Sequence, residues 1–169
     1  MSVREQLFVR TDGSPAEVAE FVAKLIGGRT EVRDQQVWLL VDTARLVPGV
    51  EGEFGGPVVA HNSEAAFRPA GEFEAPDAYN VELRLWQAGG RRVEPTTGAD
   101  IEERAATAVF QALAASAGLA VIHVHDDDVL LRAALPGAGA IEFPRGTTIY
   151  DWDEDKWNGF VLRTEPGDA

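Results

Sequence analysis

Tyr79-Asn80-Val81-Glu82-Leu83-Arg84-Leu85-Trp86 alternates apolar and polar side chains over the length of a strand. Successive strand side chains point to opposite faces. Tyr79, Val81, Leu83 and Leu85 therefore share one face, and Asn80, Glu82 and Arg84 the other, with Trp86 ending the polar row. The apolar face needs a cover, and two segments offer helical stripes for it. In the first, Ser14 caps, Pro15 suits the first helical position and Glu17 completes a capping box. Val18, Phe21, Val22 and Leu25 then recur at helical spacing, and Gly27-Gly28 ends the run because glycine reaches the left-handed conformation cheaply. The second helix starts with Asp100 as cap and Glu103 three residues on, runs through Ala117 and stops at Gly118. Its buried face is Ile101, Ala105, Ala108, Val109, Ala112 and Leu113, with alanines that allow close approach to a sheet.

Other segments supply further strands. Leu7 to Thr11 reads as a short first strand broken by Asp12-Gly13. Glu31 to Asp42 reads as a second, and its apolar run Val37-Trp38-Leu39-Leu40-Val41 marks it as covered on both faces for part of its length. Residues 48–76 are punctuated by glycine and proline and read as a long loop, with Val58-Val59-Ala60 and Ala65-Ala66-Phe67 as short edge strands. Gly89-Gly90-Arg91-Arg92 is a turn. Leu119 to Val124 and Val129 to Leu135 form a hairpin around His125-Asp126-Asp127-Asp128. The tail from Ile141 to Leu162 mixes turn residues with Ile149-Tyr150 and Phe160-Val161-Leu162, a last strand. The economical architecture is an α+β fold, two helices packed on a mainly antiparallel sheet, in a single domain over residues 1–169.

A chain of 169 residues can bury a substantial core. Without cysteine it has no disulfide, no thiol nucleophile and no thiolate metal site, which suits a cytoplasmic protein. No apolar h-region follows Met1 to Gln6, so a signal peptide is not expected, and no apolar run has the length of a membrane span. The formal net charge of -13 repels nucleic acid and anionic membranes and speeds encounter with cationic partners. An acidic balance is also common among cytosolic proteins with no such partner.

The segment Asp151-Trp152-Asp153-Glu154-Asp155-Lys156-Trp157 sets two large aromatics among four carboxylates. Asp151, Asp153 and Asp155 imitate the opening of a calcium loop. The match fails at the sixth position, Lys156 where glycine is required, and at the twelfth, Leu162 where glutamate should bind. One reading is a protein-binding edge with Trp152 and Trp157 as anchors and Asp151, Asp153, Glu154 and Asp155 as a charged rim. Such an edge requires Asp153 and Asp155 exposed and at least one tryptophan partly exposed. The other reading packs both tryptophans inward as a flap over the core. His123 and His125 share a strand face and could bind a metal together, but no third ligand has diagnostic spacing, so a polar hairpin turn is expected and no metal or cofactor is implied. Glu102 and Glu103 are explained by the helix dipole. His61 stands alone in the glycine-rich section, and Arg91-Arg92 is too small a basic patch for nucleic acid. No catalytic constellation emerges.

The order of segments resembles the swarming-inhibition type of small immunity proteins from bacterial polymorphic-toxin systems. The likeness rests on a short strand, a helix opening at Pro15 to Ala19, the strand Val81-Glu82-Leu83-Arg84-Leu85 and the Ala/Leu-rich helix Ile101 to Ala117. It continues through a hairpin of Ala120-Val121-Ile122 with Val129-Leu130-Leu131-Arg132 and ends near Trp157. The section 48–76 and the acidic segment Trp152 to Trp157 depart from that pattern. The resemblance implies a non-enzymatic cytoplasmic protein that binds and blocks a cognate toxin, and the acidic charge of the chain points to a basic one. The alternative is a small-ligand binder or enzyme using a pocket between the sheet and the Gly/Pro-rich section, with His61, His123 or His125 contributing. A third reading is a structural or assembly subunit.

Overall fold

The structure, a computed structural model, describes residues 5–63, 65–69, 71–88, 98–116 and 119–163. Among these residues eight strands form one sheet: β1 (Glu5–Arg10), β2 (Arg29–Arg33), β3 (Gln36–Asp42), β4 (Glu53–Ala60), β5 (Val81–Ala88), β6 (Ala120–His125), β7 (Val129–Leu135) and β8 (Gly139–Glu142). Their order is β2-β3-β4-β5-β1-β6-β7-β8, and every neighbouring pair is antiparallel. The expected α+β class holds, with three helices among the described residues rather than two: α1 (Pro15–Ile26), α2 (Gly98–Ala114) and the single turn α3 (Glu154–Trp157). None of them is long and apolar enough to cross a membrane.

Helix α1 begins and ends where its caps dictate. The Glu17 amide donates to Ser14 Oγ at 3.2 Å, Pro15 takes the first turn, and Gly27 closes the helix at φ 74°. Its buried residues are Val18, Ala19, Val22 and Ala23, while Phe21 and Leu25 are half exposed. The stripe is rotated from the expected one because two alanines, not two large side chains, face the sheet. Helix α1 lies on β2, β3 and β4, α2 lies on β5, β1 and β6, and the two helices touch. Under them, Leu7, Val9, Val41, Phe54, Leu83, Leu85 and Val121 join the helix residues in one core. Helix α2 buries Ala105, Val109 and Leu113 as the periodicity predicts, and adds Ala106 and Phe110. It starts at Gly98, ahead of the predicted cap at Asp100, so Glu102 is not in the first turn. Glu102 is buried and accepts from the Gln87 amide at 3.0 Å, which joins α2 to β5. Helix α2 ends at Ala114, short of the expected run through Ala117, and the turn expected over 89–92 lies outside the described residues.

The opposite face carries a second core, formed by Phe8, Ile122, Val124, Leu130 and Ala133 beneath Tyr79, Phe143, Ile149, Trp157 and Val161. Its cover is a layer of loops, with 3-10 turns at Ala65–Phe67 and Ala75–Ala78 and the segment ending in α3. The alternation in β5 is therefore real, but its polar row faces this layer rather than open water. Tyr79 precedes the strand and belongs to the loop-side core, where its hydroxyl accepts from the Leu162 amide at 3.1 Å and burial pushes its pKa up to about 12.

Three strand expectations are overturned. Glu31 to Asp42 is not one strand but the β2–β3 hairpin, turned at Asp34 and Gln35 with φ of 48° and 66°. Residues 53–60 are not loop and edge but the inner strand β4 between β3 and β5. Its glycines are required by close approach: a Cβ on Gly55 would sit 1.9 Å from the Leu39 carbonyl oxygen, and one on Gly56 1.9 Å from that of Arg84. The tail contributes isolated bridges at Thr148, Tyr150 and Val161, not the strand expected there, while β8 forms at Gly139–Glu142.

Candidate functional site

The acidic aromatic segment folds as a 3-10 turn over Asp151–Asp153 that runs directly into α3. Asp153 organises it. One carboxylate oxygen accepts from the Thr148 amide at 2.7 Å and from the Thr148 hydroxyl at 2.9 Å, and the other pairs with Lys156 at 3.0 Å. The Thr148 amide, followed by Lys156, holds this carboxyl below its ordinary range. Asp153 is thus buried, which corrects the expectation that it is a solvated rim acid; the turn needs an internal acceptor for an otherwise unpaired amide. Trp157 is likewise an inward plug and not a surface anchor. It is fully buried, donates from Nε1 to the Thr148 carbonyl at 3.2 Å and meets Phe73 edge-to-face at 5.8 Å.

The remaining residues point the other way. Trp152 is 70% exposed and lies against Tyr150 at 4.6 Å between ring centroids. Asp155 is exposed, and Asp151 and Glu154 are half buried, Glu154 being paired with Arg163. The two readings of the tryptophans therefore divide between them: Trp157 is core and Trp152 is surface. The pair Asp153 and Trp157 fixes the turn on which Trp152 stands.

Beside this turn, between the sheet and the loop layer, lies a cavity of about 460 Å³ that Tyr150 also lines. Its sheet wall is the polar row of β1 and β5. Gln6 Nε2 donates to Glu82 at 2.8 Å and Arg84 Nε donates to the other Glu82 oxygen at 2.9 Å. Its loop wall carries Arg68, Glu74 and Asp77, with Arg68 paired to Asp77 at 2.6 Å and to Glu74 at 3.4 Å. His61 closes the cavity against Phe8, edge-to-face at 4.9 Å, and burial lowers its pKa. Gln6 Oε1 and His61 Nε2 are buried and without a hydrogen-bond partner among the described residues. Leaving such an atom unpaired costs about 1–3 kcal/mol. This pocket stands where the small-ligand alternative put one, but only His61 of the histidines lines it.

His123 and His125 face the helices instead. Both bind Glu5, which is fully buried: His123 Nε2 meets one oxygen at 2.9 Å and His125 Nδ1 the other at 2.5 Å. On its far side His123 Nδ1 meets Arg132 at 2.6 Å, and Arg132 also donates to Thr107 of α2 at 2.7 Å. A guanidinium only donates, so His123 Nδ1 is the acceptor, and its ring is neutral with the proton on Nε2 toward Glu5. Burial, the largest influence, lowers its pKa in the same direction. The two histidines, expected in a polar hairpin turn, are instead part of a largely buried network that locks β1, β6, β7 and α2 together. Glu5, Gln6 and Glu82 were missed as site residues, because strand alternation alone does not say which polar face a loop layer will cover. No protein-family model matches the chain, and comparisons with curated proteins and with solved structures found no match.

Proposed function

We propose that the chain is a non-enzymatic protein-binding protein of the immunity type, which docks on a basic partner, such as a cognate toxin, through the turn that carries Trp152. The observation that carries this reading is a tryptophan held 70% exposed on a turn pinned from beneath by Asp153 and Trp157. A large exposed aromatic on a fixed backbone loses little freedom on binding, which is the property of an interface anchor. Asp155 at the surface and a formal net charge of -13 supply the complementary field for a cationic surface. The experiment uses the wild-type chain and Trp152→Ala as paired baits in an extract of the source cell, read by mass spectrometry. The expected result is a basic protein retained by the wild type and lost by the variant, whose activity the wild type blocks when the two are mixed. Equal retention by both baits, or a retained protein whose activity is unaffected, would overturn the reading.

A further inference from the structure

The cavity between β1, β5 and the loop layer has a chemistry that selects its occupant. Four carboxylates line it, from Glu74, Asp77, Glu82 and Asp127, against two guanidinium groups, from Arg68 and Arg84. The His61 ring adds no positive charge at neutral pH, since burial disfavours its charged form. Both arginines are already engaged with carboxylates of the same cavity, so among the described residues an anion finds no uncommitted guanidinium there. The orientation of Gln6 is set by Glu82. A carboxylate only accepts, so the Gln6 NH₂ must face it, and the carbonyl Oε1 is left buried without a partner among the described residues, with Gln6 only 7% exposed. A donor would satisfy this oxygen, in a pocket whose described lining carries more carboxylates than guanidinium groups. Tyr150 joins this cavity to the exposed Trp152, ring against ring at 4.6 Å.

We infer that this cavity is a receptor for a basic side chain, an arginine guanidinium or a lysine ammonium of the bound partner, with Gln6 Oε1 and the carboxylates as its acceptors. The inference rests on the docking role of Trp152, which would place such a side chain over the adjoining cavity. A guanidinium brings several donors in a planar fork, suited to Gln6 Oε1 and to a carboxylate together, and its flat face suits stacking on Tyr150.

The test is a titration with acetyl-arginine N-methylamide, followed by NMR at the Gln6 side-chain amide and the His61 ring. Acetyl-citrulline N-methylamide, nearly the same shape without the charge, and inorganic phosphate are run beside it. The expected result is saturable shifts at both reporters with the arginine probe, and binding of the citrulline probe weaker by roughly tenfold, the loss of one charge-assisted hydrogen bond. Gln6→Leu should weaken the arginine probe by a similar factor. Should Gln6→Leu fail to fold, Ala60→Phe, at an exposed cavity residue, should abolish the shifts by filling the space. Equal affinity for the two probes, saturable binding of phosphate, or shifts that survive Ala60→Phe would overturn the inference. The probe is a single side chain, so its result does not depend on whether Trp152→Ala releases a partner, and the pocket and the docking turn can fail separately.

Discussion

Trp152 and Trp157, five residues apart, do opposite work, and single substitutions should separate them. Trp157→Ala removes a fully buried ring and should cost about 3–5 kcal/mol in chemical denaturation. Trp152→Ala should change stability by no more than about 0.5 kcal/mol but speed dissociation from the partner by on the order of 2 kcal/mol. A destabilised Trp152→Ala would show that the exposed ring has a structural role. Ser14→Ala should lower stability by about 1 kcal/mol through loss of the cap on α1. The histidines give a pH dependence. His123 and His61 both have folded pKa values lowered from 6.5, chiefly by burial, so the unfolded chain takes up their protons first as pH falls. Their stabilisation is complete above about pH 6.5, declines as pH drops below it, and is lost on passing the folded values. The denaturation midpoint should therefore fall between about pH 7 and about pH 5.5, and His61→Gln with His123→Gln should flatten that slope. An unchanged slope in the double variant would show that neither ring is held neutral by the fold.

At the scale of elements, legibility followed local chemistry. Helix α1 was readable to its caps because serine, proline and glycine at its ends have local conformational reasons to be there. The β6–β7 hairpin was readable because apolar runs flank a run of aspartates, and Asp126 and Asp127 do take positive φ, at 53° and 72°. The β2–β3 hairpin was not, because Asp34 and Gln35 adopt the same backbone without the glycine or asparagine that usually announces it. Strand β4 was misread for the opposite reason: glycines that signal a loop are here the only residues thin enough for an inner strand. Gly55→Ala should accordingly cost on the order of 3 kcal/mol or prevent folding, since its methyl would overlap the Leu39 carbonyl; a stable Gly55→Ala would mean that β3 and β4 can separate. The candidate site was legible as a segment but not in its polarity. That Trp152 points out and Asp153 in depends on Thr148, whose amide and hydroxyl choose the aspartate, and nothing in the alternation of acids and aromatics encodes that choice.

The sheet is covered by helices on one face and by loops on the other, and the proposed docking turn and the cavity both belong to the loop side. The charge field acts over the entire surface, so its contribution should appear in association rather than in holding the complex. Asp155→Asn should slow binding to the partner and flatten the dependence of the on-rate on salt. Asp153→Asn should instead lower stability, because its oxygens are already committed to Thr148 and Lys156. Wild-type association kinetics in Asp155→Asn would remove that acid from the encounter surface. The strand order carries one more implication. β1 lies inside the sheet between β5 and β6, so this strand has no neighbour until residues 81–88 and 120–125 exist. At roughly 5–20 residues per second on the ribosome, it waits several seconds or more with its backbone unpaired and Leu7, Phe8 and Val9 uncovered. The many long-range pairings place refolding in the milliseconds-to-seconds regime of sheet proteins. The interval in which this protein is most open to misassociation is thus set by synthesis, before the finished sheet exists to protect its own first strand.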